Sequence, residues 1–180
     1  MRISGRISGS AYPQIGLNWR EFARSAPELA GYFERQLAET QLVLLGTNSA
    51  SGWPRISPCE AYIADGDLML GMMWKSRKAL DLLRDARLTV TTPQCEREPE
   101  NGDVKLYGFG IPVEETARKN ALADAQDAII DWRPSEPFHA FALDVRRASY
   151  IAFGEKRRMV RWTAEGGVEV LRHPDEGKEA

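Results

Sequence analysis

The chain has 180 residues, of which 43% are hydrophobic and 28% charged, a mix that excludes intrinsic disorder, collagen-like repeats and a coiled coil. Its 24 Lys and Arg against 26 Asp and Glu leave a net charge of -2, so nothing draws the whole molecule to nucleic acid or an anionic membrane, and any anion recognition must be local. Cys59 and Cys95 form neither a secreted disulfide framework nor a CxxC pair, and a chain of this length buries a core without a disulfide or metal staple.

Residues 1–16, with a tandem Arg-Ile-Ser-Gly, are expected to be a flexible N-terminus; residues 17–172 a single domain; and residues 173–180 a polar tail. Asn18 suits the N-cap of a helix starting at Trp19, and Ser25-Ala26-Pro27-Glu28 has the form of a capping box that restarts the helix after a kink. Leu29, Phe33 and Leu37 mark one face of that helix. From Gln41 the texture changes to short β-rich runs: Leu42 to Asn48, Pro54 to Ala64, Asp67 to Trp74, Arg87 to Thr92 and Val104 to Val113. Turn chemistry separates them, with Ser49 to Gly52, the tight Asp65-Gly66 pair and Glu100 to Asp103 between runs.

Helices are predicted from Arg77 to about Asp85 and from about Thr116 to Ile130, the second with Leu122, Ala125 and Ile129 on one stripe. Strand texture returns in Phe138 to Val145, Ser149 to Phe153, Met159 to Thr163 and Val168 to Leu171. Hairpin-linked strands with a few helices, and no regular βα alternation, predict a mainly β, α+β protein built on a small antiparallel barrel or curled sheet. The longest apolar run, Leu68 to Trp74, is far too short to span a bilayer, and the first residues lack a signal-peptide core, so a cytoplasmic protein is expected.

The most informative segment for chemistry is Trp74-Lys75-Ser76-Arg77-Lys78. Ser76 is a natural N-cap, which places Arg77 and Lys78 in a first helical turn that ordinarily prefers acidic residues. Two readings stand: a solvated charged face, or a dianion held by the hydroxyl, the free N–H groups and the cations together. On the strand Pro54 to Pro58, alternation puts Arg55 and Ser57 on one face, either toward solvent or lining a cleft. His139 and His173 have no partners at metal-ligand spacing, no GxSxG elbow occurs, and Gly108-Phe109-Gly110 lacks the third glycine of a dinucleotide fingerprint. The basic run Lys156 to Arg158, with Arg161 and Trp162, is flanked by Glu155 and Glu165 and reads as a hairpin rather than a nucleic-acid contact.

Gly52-Trp53-Pro54-Arg55, the Asp65-Gly66 hairpin, Ser76-Arg77-Lys78, Arg84-Asp85-Ala86-Arg87 and Asp103 to Gly108, in that order, resemble the pyridoxamine 5'-phosphate oxidase-like flavin-binding split barrels over roughly Trp19 to Phe153. The resemblance implies a split β-barrel of six to seven antiparallel strands, a homodimer with FMN at its interface, and flavin redox chemistry on a small organic substrate. It makes Arg55, Ser76, Arg77 and Lys78 phosphate ligands, with Ser57 and Lys75 as neighbours, and lets Trp74 and Trp162 cover the flavin ring; either tryptophan is otherwise a satisfactory core residue. No protein nucleophile is required. The same fold serves deazaflavin-dependent reductases and non-catalytic flavin or haem binders, which are the alternatives. Glu60 stands where the oxidase has a second cation, and Gly71-Met72 where it has an aromatic-Thr pair. The expected substrate is therefore flatter and less charged than pyridoxamine 5'-phosphate.

Overall fold

Alternation along the β-rich part of the sequence closes a sheet on itself. The computed structural model describes residues 16–93, 102–153, 157–173 and 177. Among them are strands β1 (Leu42–Asn48), β2 (Pro54–Ala64), β3 (Asp67–Met73), β4 (Arg87–Thr91), β5 (Asp103–Pro112), β6 (Phe138–Ala152), β7 (Arg158–Thr163) and β8 (Gly167–Leu171). The helices are α1 (Trp19–Ser25), α2 (Pro27–Thr40), α3 (Arg77–Arg84) and α4 (Thr116–Ile130). The sheet order is β3-β2-β1-β4-β5-β6, and a further antiparallel pairing of β3 with β6 closes these six strands into a barrel; β7 and β8 extend it beyond β6. This is the expected split barrel, with four helices around it.

Local chemistry explains the bends. Asp65 and Gly66 both take positive φ, 52° and 79°, the geometry of a two-residue turn whose twist matches the strands it joins. The β5–β6 register shifts between Tyr107 and Gly108, where a Cβ on Gly108 would lie 1.9 Å from the Asp144 carbonyl oxygen. Only glycine lets the strands approach there, and the bulge adds the curvature a small barrel needs. The main core combines the inner strand residues with Trp19, Phe22, Phe33 and Leu37 of α1 and α2 and with Ala79 and Leu82 of α3. A second cluster on the outer face holds Tyr62, Met69 and Phe138 under Leu122 and Ala123 of α4.

Three expectations change. Asn18 caps α1 with a full capping box, but α2 is capped by Ala26, and the Ser25 hydroxyl donates back to the Phe22 carbonyl at 3.1 Å. The two strands expected on either side of Val145 to Ser149 are one continuous strand, β6: Arg147 pairs with Tyr107 and lies over its ring, and Arg146, the extra residue of the bulge opposite Gly108, lies over Phe109, so the chain bends there without ending the strand. On α4 the buried residues are Leu122, Ala123 and Gln126, while Ile129 is 53% exposed. Of the apolar run Leu68 to Trp74, Leu68, Met69, Leu70 and Met72 are buried, while Met73 and Trp74 are 77% and 50% exposed. The tandem repeat, Cys95 and Lys156 lie outside the described residues. Among the described residues no helix is long and apolar enough to cross a membrane, and no group of three or more His, Cys, Asp or Glu is placed to hold a metal.

Candidate functional site

The chain leaves β3 at Met73 and turns through Trp74 and Lys75 into α3. Lys75 takes a left-handed φ of 56°, and the Ser76 amide donates to the Met73 carbonyl at 3.1 Å, which fixes a tight turn before the helix. Ser76 occupies the N-cap with extended backbone, yet its hydroxyl makes no capping bond. Ser76 Oγ is shut off from water and has no hydrogen-bond partner among the described residues. A buried hydroxyl without a partner costs roughly 1–3 kcal/mol, so this one is available to a group that reaches the start of α3. The first turn of α3 holds no acidic residue; it carries the exposed Arg77 and the half-buried Lys78 instead.

Lys78 reaches across to β2, where Nζ donates to the Pro58 carbonyl at 2.6 Å. Arg55 of β2 reaches the other way, donating from Nε to Asp81 Oδ2 at 2.6 Å. Asp81 is buried on α3 and also accepts from Thr47 Oγ1 at 3.0 Å and from Arg84. Burial pushes its carboxyl pKa up, but hydrogen bonds from Arg55, Thr47 and Arg84 outweigh that and hold it below the ordinary carboxylate value. Because Asp81 takes only Nε, the two terminal nitrogens of Arg55 keep their N–H groups for another acceptor. Sequence reasoning missed Asp81; the signal was an acid set between the buried Ala79 and Leu82.

Asp85, just past the end of α3, is held down to about 2 by hydrogen bonds from Arg87, against partial burial. Depressed carboxylate pKa values add stability above the unfolded-state value near 4, and that stability is lost as pH falls through the folded value. Acid titration followed by circular dichroism should therefore show stability falling between about pH 4 and about pH 2. Asp85→Asn should remove on the order of 1 kcal/mol of that dependence, allowing for partial solvent exposure.

Beside this helix start, a cavity of about 650 Å³ opens on the outer barrel face, between β2, β3 and the segment that follows α4. Its walls include Met72, Met73, Trp74, Trp132 and Phe138, and Lys78, Glu60 and Gln126 also line it. Trp74 is 50% exposed and stacks on His139, with ring centroids 4.4 Å apart; the Lys75 ammonium lies 6.0 Å from its ring. Gly71 leaves room in the floor, since a Cβ there would first meet Leu122 and Gln126 at 3.8 and 3.9 Å. Cys59 also lines the cavity, but burial pushes its thiol up to about 12, which leaves it unreactive near neutral pH.

The sequence-predicted residues divide accordingly. Trp74 and Lys78 line the large cavity, with Lys75, Ser76 and Arg77 next to them in the chain. Arg55 opens instead onto a recess of about 260 Å³ shared with Arg87 and Arg146, and the Arg55–Asp81 bond ties it to α3. Ser57 is half-buried on the same face of β2 as Arg55 and does not line the large cavity. Trp162 is a correction: it is 1% exposed, its ring meets Phe22 edge-on at 4.8 Å, and α1 covers it, so it is a core residue with no face left for a ligand. The segment after α4 was not foreseen as a wall, and neither were Trp132 and Phe138.

No family model and no curated protein matches the chain. Solved structures do. PhzG from Burkholderia lata 383, in complex with tetrahydrophenazine-1-carboxylic acid, superposes with a TM-score of 0.60 at 15% identity, covering 87% of this chain and 93% of its own. A Clostridium acetobutylicum protein of the pyridoxinephosphate oxidase family, related to general stress protein 26 of B. subtilis, gives 0.56 at 16% identity over 81% and 96%. A haem-binding protein from Mycobacterium smegmatis gives 0.57 at 24% identity, covering 77% of this chain, which spans only 57% of that protein's length. At these identities the likeness carries the fold: the chain has the split-barrel fold of pyridoxamine 5'-phosphate oxidase-like proteins.

Proposed function

We propose that the chain binds FMN, with the phosphate at Ser76, Arg77 and Lys78 and the ring in the adjoining cavity, and acts as a flavin-dependent oxidoreductase on a small flat substrate. The observation that carries this reading is the start of α3, where an orphaned buried hydroxyl and two unopposed cations sit beside an aromatic-lined cavity. The residues fit the group. Ser76 Oγ and the free N–H groups of the first turn supply donors to phosphate oxygens, and Arg77 and Lys78 supply charge; Arg55, which lines the neighbouring recess, is brought to α3 by its bond to Asp81. Trp74, Met72 and Phe138 offer apolar surface to a flat ring and keep water from it.

FMN, when bound, supplies hydride or one-electron transfer. The protein's part is to neutralise the phosphate, orient the ring and exclude water, and none of its residues need form a covalent bond. The haem-binding neighbour and the deazaflavin reductases that share the fold class are the competitors for the cavity. Reduced nicotinamide with the flavin-loaded protein should give oxygen consumption above that of free FMN; a loaded protein with no such turnover would indicate a carrier. Pyridoxamine 5'-phosphate should not be oxidised, because the cavity wall carries the Glu60 carboxylate, and Arg158 and Arg161 lie on β7, outside its lining.

A homodimer completes the reading. Trp53 and Ile56, each 75% exposed on or beside β2, and Met73, 77% exposed at the end of β3, are large apolar groups that a second copy would cover. Sedimentation at micromolar concentration should show a dimer, with FMN strengthening association if the site is shared between subunits. A monomer that binds FMN at full affinity would remove the dimer from the account.

A further inference from the structure

One feature of the cavity is unrelated to phosphate binding. Glu60 projects from β2 into a wall otherwise built from Met72, Met73, Trp74, Trp132 and Phe138. Gln126, 1% exposed among Leu122 and Ala123 of α4, donates from Nε2 to Glu60 Oε2 at 2.6 Å. That bond orients the carboxylate and satisfies one of its oxygens. A carboxylate has about four lone-pair sites, and among the described residues this one accepts a single hydrogen bond. Among the described residues the one other charged side chain lining the cavity is Lys78, which is tied to the Pro58 carbonyl.

We infer that Glu60, oriented by Gln126, makes the cavity selective for a flat molecule that presents a positive charge or an N–H donor. The aromatic walls favour the same class, because a ring face attracts a cation while an anion is repelled by both the faces and the carboxylate. Leaving Glu60 desolvated by a ligand with no donor would cost more than the contact returns, so neutral hydrocarbons and anions are both disfavoured. As a substrate assignment this rests on the FMN reading, which places Lys78 on the phosphate and leaves Glu60 as the cavity's uncompensated charge. As a binding preference it does not need that reading.

The test uses two flat three-ring probes of opposite charge, proflavine as the cation and anthracene-2-carboxylate as the anion. Binding is read by quenching of tryptophan fluorescence on the FMN-free protein, with Trp74→Phe and Trp132→Phe assigning the signal to the cavity. Native protein should bind proflavine at least about tenfold more tightly, and Glu60→Gln should abolish that ratio with its melting temperature unchanged. Should Glu60→Gln fail to fold, the native ratio decides, and it should shrink as salt is raised. Equal binding of the two probes, or a ratio that survives in folded Glu60→Gln, overturns the inference. Titration with FMN separates the two readings: FMN binding without the charge preference sinks this inference alone, and the preference without FMN binding sinks the FMN reading alone.

Discussion

Replacing Arg77 and Lys78 together by Ala is expected to weaken FMN binding about 100-fold while leaving riboflavin, which lacks the phosphate, nearly unaffected. Charge-assisted hydrogen bonds contribute about 1.5–3 kcal/mol each, so losing one on each residue gives a factor of this size or larger. The fold should not suffer. Both residues lie in the first turn of α3, where cations oppose the helix dipole at a cost of about 0.3–1 kcal/mol each, and Ala is the best helix former. That gain offsets the lost bond from Lys78 to the Pro58 carbonyl. Weak FMN binding in a protein that melts no lower than the native one is thus the distinguishing result. Equal losses for FMN and riboflavin would mean that the segment shapes the cavity rather than clamping a phosphate, and an unchanged FMN affinity would place the phosphate elsewhere.

Asp81→Ala is expected to be the most destabilising single change at the site. It strips a buried acceptor from Arg55, Thr47 and Arg84 at once, leaving the Thr47 hydroxyl, itself buried, without its partner. Removing one side of a fully buried pair costs about 3–5 kcal/mol, and the one-third exposure of Arg55 lowers this to about 2–3. For a chain of this length that corresponds to a melting temperature lower by roughly 5–10 °C. Glu28→Ala, which breaks the exposed pair with Arg158, should shift stability by less than about 0.5 kcal/mol and serves as the control. A double-mutant cycle with Arg55→Met isolates the coupling. If Asp81 positions Arg55 for the phosphate, Asp81→Ala should also weaken FMN but not riboflavin, a split that a purely structural role would not produce.

Some elements were legible residue by residue. The bounds of β1, β2 and α4 coincide with those expected from alternation and turn chemistry, because each is bracketed by residues whose backbone preference is strong, such as Gly52, Pro54 and Asp65-Gly66. What failed was decided by partners distant in sequence. β6 continues past Arg146 and Arg147 because β5 pairs with it on both sides of a one-residue bulge, with the two guanidinium groups over Phe109 and Tyr107, and local polarity carries no trace of that. Burial within α4 favours Gln126 over Ile129 because Glu60, 66 residues away, supplies the amide's partner. The α3 start was readable because capping and charge are local. Asp81 as its brace, Trp132 and Phe138 as a cavity wall, and Trp162 as core all depended on which surfaces meet after the barrel closes.

Titration of the unmodified protein with FMN, riboflavin and haem in parallel, followed by absorbance and by tryptophan quenching, tests the central claim most directly. Saturable FMN binding at micromolar concentration or tighter is expected, with quenching of the cavity tryptophans and affinity for riboflavin weaker by at least about tenfold because the phosphate contacts are missing. Haem binding with a sharp Soret band and no saturable FMN binding would contradict it.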